Sequence, residues 1–255
     1  MEEDFKQKYI LLPRYLYPEF FMTILVSIDD TDNPGSRGTG RLARAIANTL
    51  SADYLIYGVT RHQLYVHPDI PYTSHNSCAV IHVETNGNAD PDRIFALAQQ
   101  VMLSDFVDGS DPGIAVARAN QVTPQLIAFG RDAKCTVLTQ ETARTLAKNL
   151  NIRLKGLGGT EGGVIGAMAG LGLAASLNDG RFIQRGKIRE LFGPCTVEQL
   201  LASGIDEVCT SDGRTILSGT VMIEEQKSPK PCPVNGRTIL FVEDNDGILT
   251  AVKRD

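Results

Sequence analysis

The stretch Ile24-Leu25-Val26-Ser27-Ile28-Asp29-Asp30-Thr31-Asp32-Asn33 decides how this chain is read: an apolar strand stops abruptly at three carboxylates and a hydroxyl, and Gly35, Gly38 and Gly40 follow. Carboxylates so close together repel one another unless water or a cation separates them. Hard divalent ions such as Mg²⁺ take carboxylate oxygens together with substrate phosphates. Asp29, Asp30 and Asp32 are therefore the candidate metal ligands of a nucleotide site. The same residue types also build an ordinary strand-to-helix turn with Thr39 as the helix cap. Such a turn needs one Asx residue rather than three acids, and the C-terminal end of a buried strand is where open α/β sheets bind ligands.

Outward from this stretch, Leu42, Ala43, Ile46, Ala47 and Leu50 recur at helical spacing and predict a helix from about residue 39 to 50. Its N-terminus faces the acids, so Gly38 and Thr39 are candidates for phosphate contact through backbone N–H groups. Residues 54–59 and 78–83 read as strands. The polar connection between them carries Arg61, His75 and Asn76, candidates for contacts to phosphate or base, and all four histidines lie in or beside it. Their spacing fits no zinc pattern. Helices are expected over 91–103 and 139–150, a strand over 114–117 and an extended segment over 122–129. A glycine-rich segment, 156–172, then runs into a small-residue helix. Its first part, with Gly158, Gly159 and Gly163, reads either as ligand-facing backbone or as close packing.

With 255 residues, 42% hydrophobic and 22% charged, the chain has the composition of a globular protein. A net charge of −5 disfavours a broad nucleic-acid footprint but leaves room for a local basic groove. The five scattered cysteines contain no C-x-x-C pair, so reduced thiols are expected. No membrane-spanning run is present, and a cytoplasmic location is expected. Residues 1–21 read as an arm or as a misplaced start before Met22, and residues 186–255 as a small β-rich appendage.

Three segments, Ile28-Asp29-Asp30-Thr31-Asp32, His67-Pro68-Asp69-Ile70-Pro71 and Gly163-Val164-Ile165-Gly166-Ala167, resemble in order the archaeal tRNA-Ile agmatinylcytidine synthetases, also called agmatidine synthases. The resemblance runs over about residues 22–185 and includes Asp111-Pro112-Gly113-Ile114, similar to the family's N-P-G-hydrophobic segment. It implies a mixed α/β (α+β) fold, with a kinase-like Mg²⁺/ATP-binding domain over 22–120 and a ferredoxin-like region with the glycine loop over 121–185. The acids Asp29, Asp30 and Asp32 then hold Mg²⁺ and ATP. Thr39 aligns with a threonine that the family phosphorylates in a C-T-T context, where this chain has Gly38 and Gly40. Gly162 stands where the family has arginine, and Arg61, Arg131 or Lys155 is available as a substitute cation.

The family's oligonucleotide-binding barrel and zinc ribbon have no counterpart in the sequence. The expected activity is therefore that of an ATP-dependent phosphotransferase or ligase acting on a small metabolite. Asp29, Asp30, Thr39 and Arg61 are its catalytic candidates, and a homodimer is an allowed assembly. The rival readings are a tRNA-modifying enzyme that uses a partner or the C-terminal appendage for recognition, and a non-catalytic nucleotide sensor.

Overall fold

The computed structural model describes residues 22–31, 38–70, 76–85, 87 and 89–254. Asp32 and His75 lie outside the described residues. The chain divides into two compact units at Ser176/Leu177.

The first unit is built on β1 (Met22–Asp29), whose residues from Thr23 to Asp29 are all buried. Side chains alternate across a strand, so Leu25, Ser27 and Asp29 face one side and Ile24, Val26 and Ile28 the other. Each fully buried aliphatic side chain contributes about 1.5–3 kcal/mol, which makes β1 the axis of the core. After it come α1 (Thr39–Leu50), β2 (Leu55–Gln63), β3 (Ser77–Thr85), α2 (Pro91–Ser104) and β4 (Gly113–Arg118). β1 pairs antiparallel with both β3 and β4, and β2 pairs antiparallel with β3, giving the order β4-β1-β3-β2.

A βαββαβ path with this order is the ferredoxin-like arrangement. It occupies residues 22–118, whereas the resemblance placed the ferredoxin-like region after residue 120. Pairing order is a tertiary property that strand-by-strand patterning does not carry. The next strand, β5 (Arg153–Gly156), joins the same sheet beside β4, so the residues before and after 120 share one core.

Helices α1 and α2 pack together on one face of this sheet. The other face is covered by α5 (Val164–Ala175), with α3 (Pro124–Asp132) and α4 (Gln140–Asn149) packed against it. The segment 122–129, expected to be extended, is instead the start of α3. Thr123 accepts from Leu126 N at the N-cap and Pro124 occupies the first turn, so a helix-start signature outweighs the β-branched character of Val122 and Thr123. Thr123→Ala is expected to cost about 1 kcal/mol of stability in denaturant unfolding, the usual value of such a cap.

Helix α5 lies unusually close to its neighbours. A Cβ built at Gly172 would fall 2.1 Å from Leu126 O of α3, and one at Gly170 would fall 2.3 Å from Ser27 Oγ of β1. The small residues that the sequence shows here therefore let α5 approach the backbone of α3 and the side chains of β1 and β3.

The second unit, from Leu177 onward, contains β6 (Arg181–Gln184), β7 (Gly193–Thr196), α6 (Val197–Ala202), β8 (Glu207–Thr210), β9 (Thr220–Ile223), β10 (Cys232–Val234), β11 (Arg237–Asn245) and β12 (Ile248–Ala251). β10, β11, β12, β9 and β7 form a sheet in that order, and β8 pairs parallel with β11. Cys209, Cys232, Ile239 and Phe241 make one of its apolar clusters. Burial pushes the Cys195 and Cys209 thiols up from their ordinary value, while Cys135 in the first unit is exposed. A thiol reagent added to folded protein at pH 8 is expected to label Cys135 rapidly and the other four cysteines only on unfolding, as mass spectrometry of labelled peptides would show.

Candidate functional site

The register of the strands fixes which candidates share an end of the sheet. Asp29 pairs with Gly113, Ile28 with Ala79, Ala79 with Arg61, and Gly113 with Gly156. The C-terminal ends of β1, β2 and β5 and the N-terminal ends of β3 and β4 are thus together. Asp29, Asp30, Arg61 and Asn76, with Gly158, Gly159 and Gly163 in the loop from β5 to α5, all belong to this end. Gly38 and Thr39 join them at the start of the helix that follows β1.

Asp29 is 8% exposed, and its carboxylate lies against the first turn of α5. Gly166 makes this position available, since a Cβ there would fall 1.7 Å from Asp29 Oδ2 and 2.5 Å from Cγ. Anionic groups near a helix N-terminus are favoured by the backbone dipoles. Asp30 adopts φ 50°, a left-handed conformation that Asp tolerates better than most residues, and turns the chain off the end of β1. Thr31 Oγ1 then donates to Thr39 Oγ1 at 3.1 Å, with both residues buried. The helix cap is Gly38, at φ 84°, and no side chain caps α1. Thr39 therefore sits at the first helical position with its hydroxyl turned to Thr31, rather than serving as the cap that the sequence suggested.

The glycine loop is held from several sides. Asp111 Oδ1 accepts from Thr160 N at 2.5 Å, and Asp111 O accepts from Gly163 N at 2.9 Å. A Cβ at Gly159 would fall 1.8 Å from Asp111 Oδ1, one at Gly158 2.7 Å from the Phe106 ring, and one at Gly163 2.6 Å from Asp111 O. Gly158, Gly159 and Gly163 thus make close contacts with protein atoms at the candidate site. Glu161 fills the space over Gly156 and pairs with Arg144, and Gln140 Nε2 donates to Thr160 O at 2.7 Å. Gly162, where the family has arginine, has nothing nearer to a built Cβ than Thr160 Oγ1 at 3.4 Å.

Arg61 Nε donates to Ser77 Oγ at 2.8 Å across β2 and β3. Asn76 Nδ2 donates to Tyr65 O at 2.6 Å, and its carbonyl accepts from Leu64 N and Gln63 Nε2, so Asn76 ties down the chain leaving β2. Arg131 lies in the last turn of α3, and Lys155 is exposed on β5 one residue before Gly156. The buried His62 and His82 share the Thr60 hydroxyl at 2.8 and 2.9 Å, while His67 faces Asp69. Among the described residues, no group of three His, Cys, Asp or Glu side chains converges as a metal cage would require.

Asp111, Gly113 and Gly166 are the residues of this end whose roles patterning did not single out. Asp111-Pro112-Gly113 was legible as a turn and as a segment of the resemblance, but the contact of its carboxylate with a loop 49 positions away was not.

No protein-family model and no curated protein matches the sequence. Solved structures do share the fold. Apo TiaS, a tRNA agmatidine synthetase, superposes with a TM-score of 0.51 at 22% identity, covering 59% of this chain and 35% of that one. The complex of TiaS with tRNA and ATP gives 0.52 at 23%, and a tRNA fluorescent labeling enzyme 0.52 at 24%, each covering 59% of this chain and 36% of the other. The chain therefore spans about a third of the length of these proteins. The mixed α/β fold expected from the resemblance is the fold observed. Among the described residues, no helix is long and apolar enough to cross a membrane.

Proposed function

We propose that this chain is an ATP-using enzyme that binds the nucleotide's phosphates with Mg²⁺ at the Asp29 end of the sheet and activates an acceptor there. The observation that carries this reading is the arrangement of helix starts. Asp90, Thr123, Thr139 and Thr196 cap α2, α3, α4 and α6 through their side chains, whereas α1 and α5 begin at Gly38 and Gly163 without a side-chain cap. The start of α5 lies against the buried Asp29 carboxylate, and the start of α1 is tied by Thr39 to Thr31 in the turn that follows Asp29. At α5 the Val164 and Ile165 N–H groups already donate to the carbonyls of Glu161 and Gly162, so what such starts offer a phosphate is the favourable end of the helix dipole, and a carboxylate beside α5 is suited to the accompanying cation.

The donor chemistry fits magnesium. Asp29 and Asp30, with Asp32 from outside the described residues, supply hard oxygen ligands. A small number of protein ligands suits an ion that keeps several waters and takes phosphate oxygens as partners. When bound, Mg²⁺ supplies charge neutralisation on the phosphates. The protein's own part is to hold Asp29 in place through Gly166, to present the N-termini of α1 and α5, and to bring Arg61 to the same end as a cation for developing negative charge. Thr39, its hydroxyl bonded to Thr31, is the candidate for a transient phosphoryl acceptor.

A small-metabolite acceptor is the reading favoured by the chain's net charge of −5. The solved TiaS complex with tRNA and ATP favours RNA as the acceptor instead. Nucleotide dependence is tested by thermal unfolding with and without millimolar Mg²⁺-ATP. The expected result is stabilisation of the wild type and its loss in Asp29→Asn. No stabilisation of the wild type, or full stabilisation of the variant, would overturn the reading.

A further inference from the structure

We propose that Asp111 makes this site select nucleotide that carries its divalent cation and refuse metal-free nucleotide. This deepens the ATP reading above and rests on it. Asp111 is joined to the start of α5 by its main chain, since its carbonyl accepts from Gly163 N at 2.9 Å. Its carboxylate is folded into the glycine loop. Oδ1 accepts from Thr160 N at 2.5 Å and lies 1.8 Å from where a Cβ of Gly159 would be. A Cβ at Gly163 would fall 2.6 Å from Asp111 O and 2.8 Å from Asp29 O, so the main chains of the two acids meet where α5 begins. The start of this helix therefore has two carboxylates beside it, that of Asp29 at Gly166 and that of Asp111 at Gly159 and Thr160.

Nothing built into the loop offsets the second charge. The Thr160 N–H is a neutral donor, and Arg144, which reaches the loop, is paired with Glu161 and adds no net charge. Two departures from the family's pattern meet here. Asp111 stands where the N-P-G segment has asparagine, and Gly162 stands where the family has arginine. A Cβ at Gly162 would lie 3.9 Å from Asp111 Oδ2, so the two positions are neighbours in space. Each departure makes the loop one charge unit more negative.

A helix start presents about half a positive charge, whereas each carboxylate presents a full negative one. Bare phosphate oxygens arriving at α5 are thus repelled more strongly than the helix attracts them. The same oxygens are accepted when an ion brings the positive charge that the loop lacks. In this chain the loop has given up a built-in cation and acquired a carboxylate, so phosphate binding depends on the metal that travels with it.

The test is calorimetric titration of the full chain with Mg²⁺-ATP and, separately, with ATP in EDTA at matched ionic strength. Asp111→Asn removes the charge and keeps an oxygen for the Thr160 N–H. Gly162→Arg returns a cation at a position where the nearest atom to the new Cβ is 3.4 Å away, and it leaves the Asp111 hydrogen bond untouched. Asp53→Asn, before β2 at the opposite end of the sheet, controls for a general change in net charge. The wild type is expected to bind Mg²⁺-ATP far more tightly than metal-free ATP. Asp111→Asn is expected to bind metal-free ATP roughly tenfold tighter than wild type does and Mg²⁺-ATP within about threefold of wild type. Gly162→Arg should move metal-free binding the same way, and Asp53→Asn should move neither.

No gain in metal-free binding by Asp111→Asn would overturn the proposal, and so would an equal gain by Asp53→Asn. Denaturant unfolding of each variant shows that it is folded, and should Asp111→Asn fail to fold, Gly162→Arg decides on the same criterion. If the wild type binds Mg²⁺-ATP and its preference over metal-free ATP survives in the variants, the role of Asp111 fails and the ATP reading stands. If the wild type does not bind Mg²⁺-ATP, the ATP reading itself fails, whatever the variants do.

Discussion

In Gly166→Ala, Mg²⁺-ATP is expected to lose its stabilising effect on the fold. Bound to the native state alone, a ligand at a hundredfold excess over its Kd adds about 2.7 kcal/mol to the unfolding free energy. That increment depends on Asp29 holding its position. The new methyl group would fall 1.7 Å from Asp29 Oδ2, inside any permitted contact, so the carboxylate must leave the first turn of α5. The variant itself is expected to unfold about 2 kcal/mol more easily, the usual cost of overfilling a packed site. Gly162→Ala is the matched control, because its methyl group meets nothing closer than 3.4 Å and neither stability nor nucleotide response should change appreciably. Denaturant unfolding of the three proteins with and without Mg²⁺-ATP reads both quantities. A normal ATP increment in Gly166→Ala would show that the nucleotide does not depend on Asp29.

Gly113→Ala is expected to have the largest effect on the fold itself. A Cβ there would lie 2.2 Å from Gly163 C, 2.3 Å from Gly163 O and 2.4 Å from Val164 N. All three are backbone atoms, so no rotamer change relieves the clash. Either the start of β4 or the start of α5 must move, at a cost of about 3 kcal/mol. The same movement disturbs the Asp111 O to Gly163 N bond and, through it, the glycine loop. Denaturant unfolding should show an earlier transition, and hydrogen exchange should show faster exchange at Gly163 and Val164 than in wild type. A stability change below about 0.5 kcal/mol would mean that this backbone contact is not made in solution.

The local elements were legible where a single period governs them. Helix α1 occupies residues 39–50 as the recurrence of Leu42, Ala43, Ile46, Ala47 and Leu50 requires, and α2 spans residues 91–104 where 91–103 was expected. The error at residues 122–129 came from weighing extended character above the Thr123-Pro124 start signal, which is the stronger constraint because it satisfies an N–H group that would otherwise lack a partner.

Strand order was not legible, because pairing β1 between β3 and β4 depends on which buried faces fit together and leaves no local mark. The candidate site was legible as separate pieces. Asp29, Arg61 and the glycine loop were identified by residue type, but their common location follows from the register of five strands. The glycines illustrate the remaining difficulty: a glycine that receives a phosphate and one that receives a neighbouring carboxylate look alike in a sequence. Only the position of Asp111 and Asp29 beside Gly159 and Gly166 reveals the second role.

The meeting of Gly113 with Gly163 has a mechanical consequence. Where two main chains touch with no side chain between them, the joint has no compliant part, because rotamer changes are what ordinarily absorb small displacements in a packed interior. The glycine loop therefore cannot swing as an independent flap. Any shift at its far end is transmitted to the tip of β4 and, across one strand, to the carboxylate of Asp29. Small adjustments at this end of the sheet are left to the surrounding side chains, while the wall made by the glycine loop behaves as a fixed anvil.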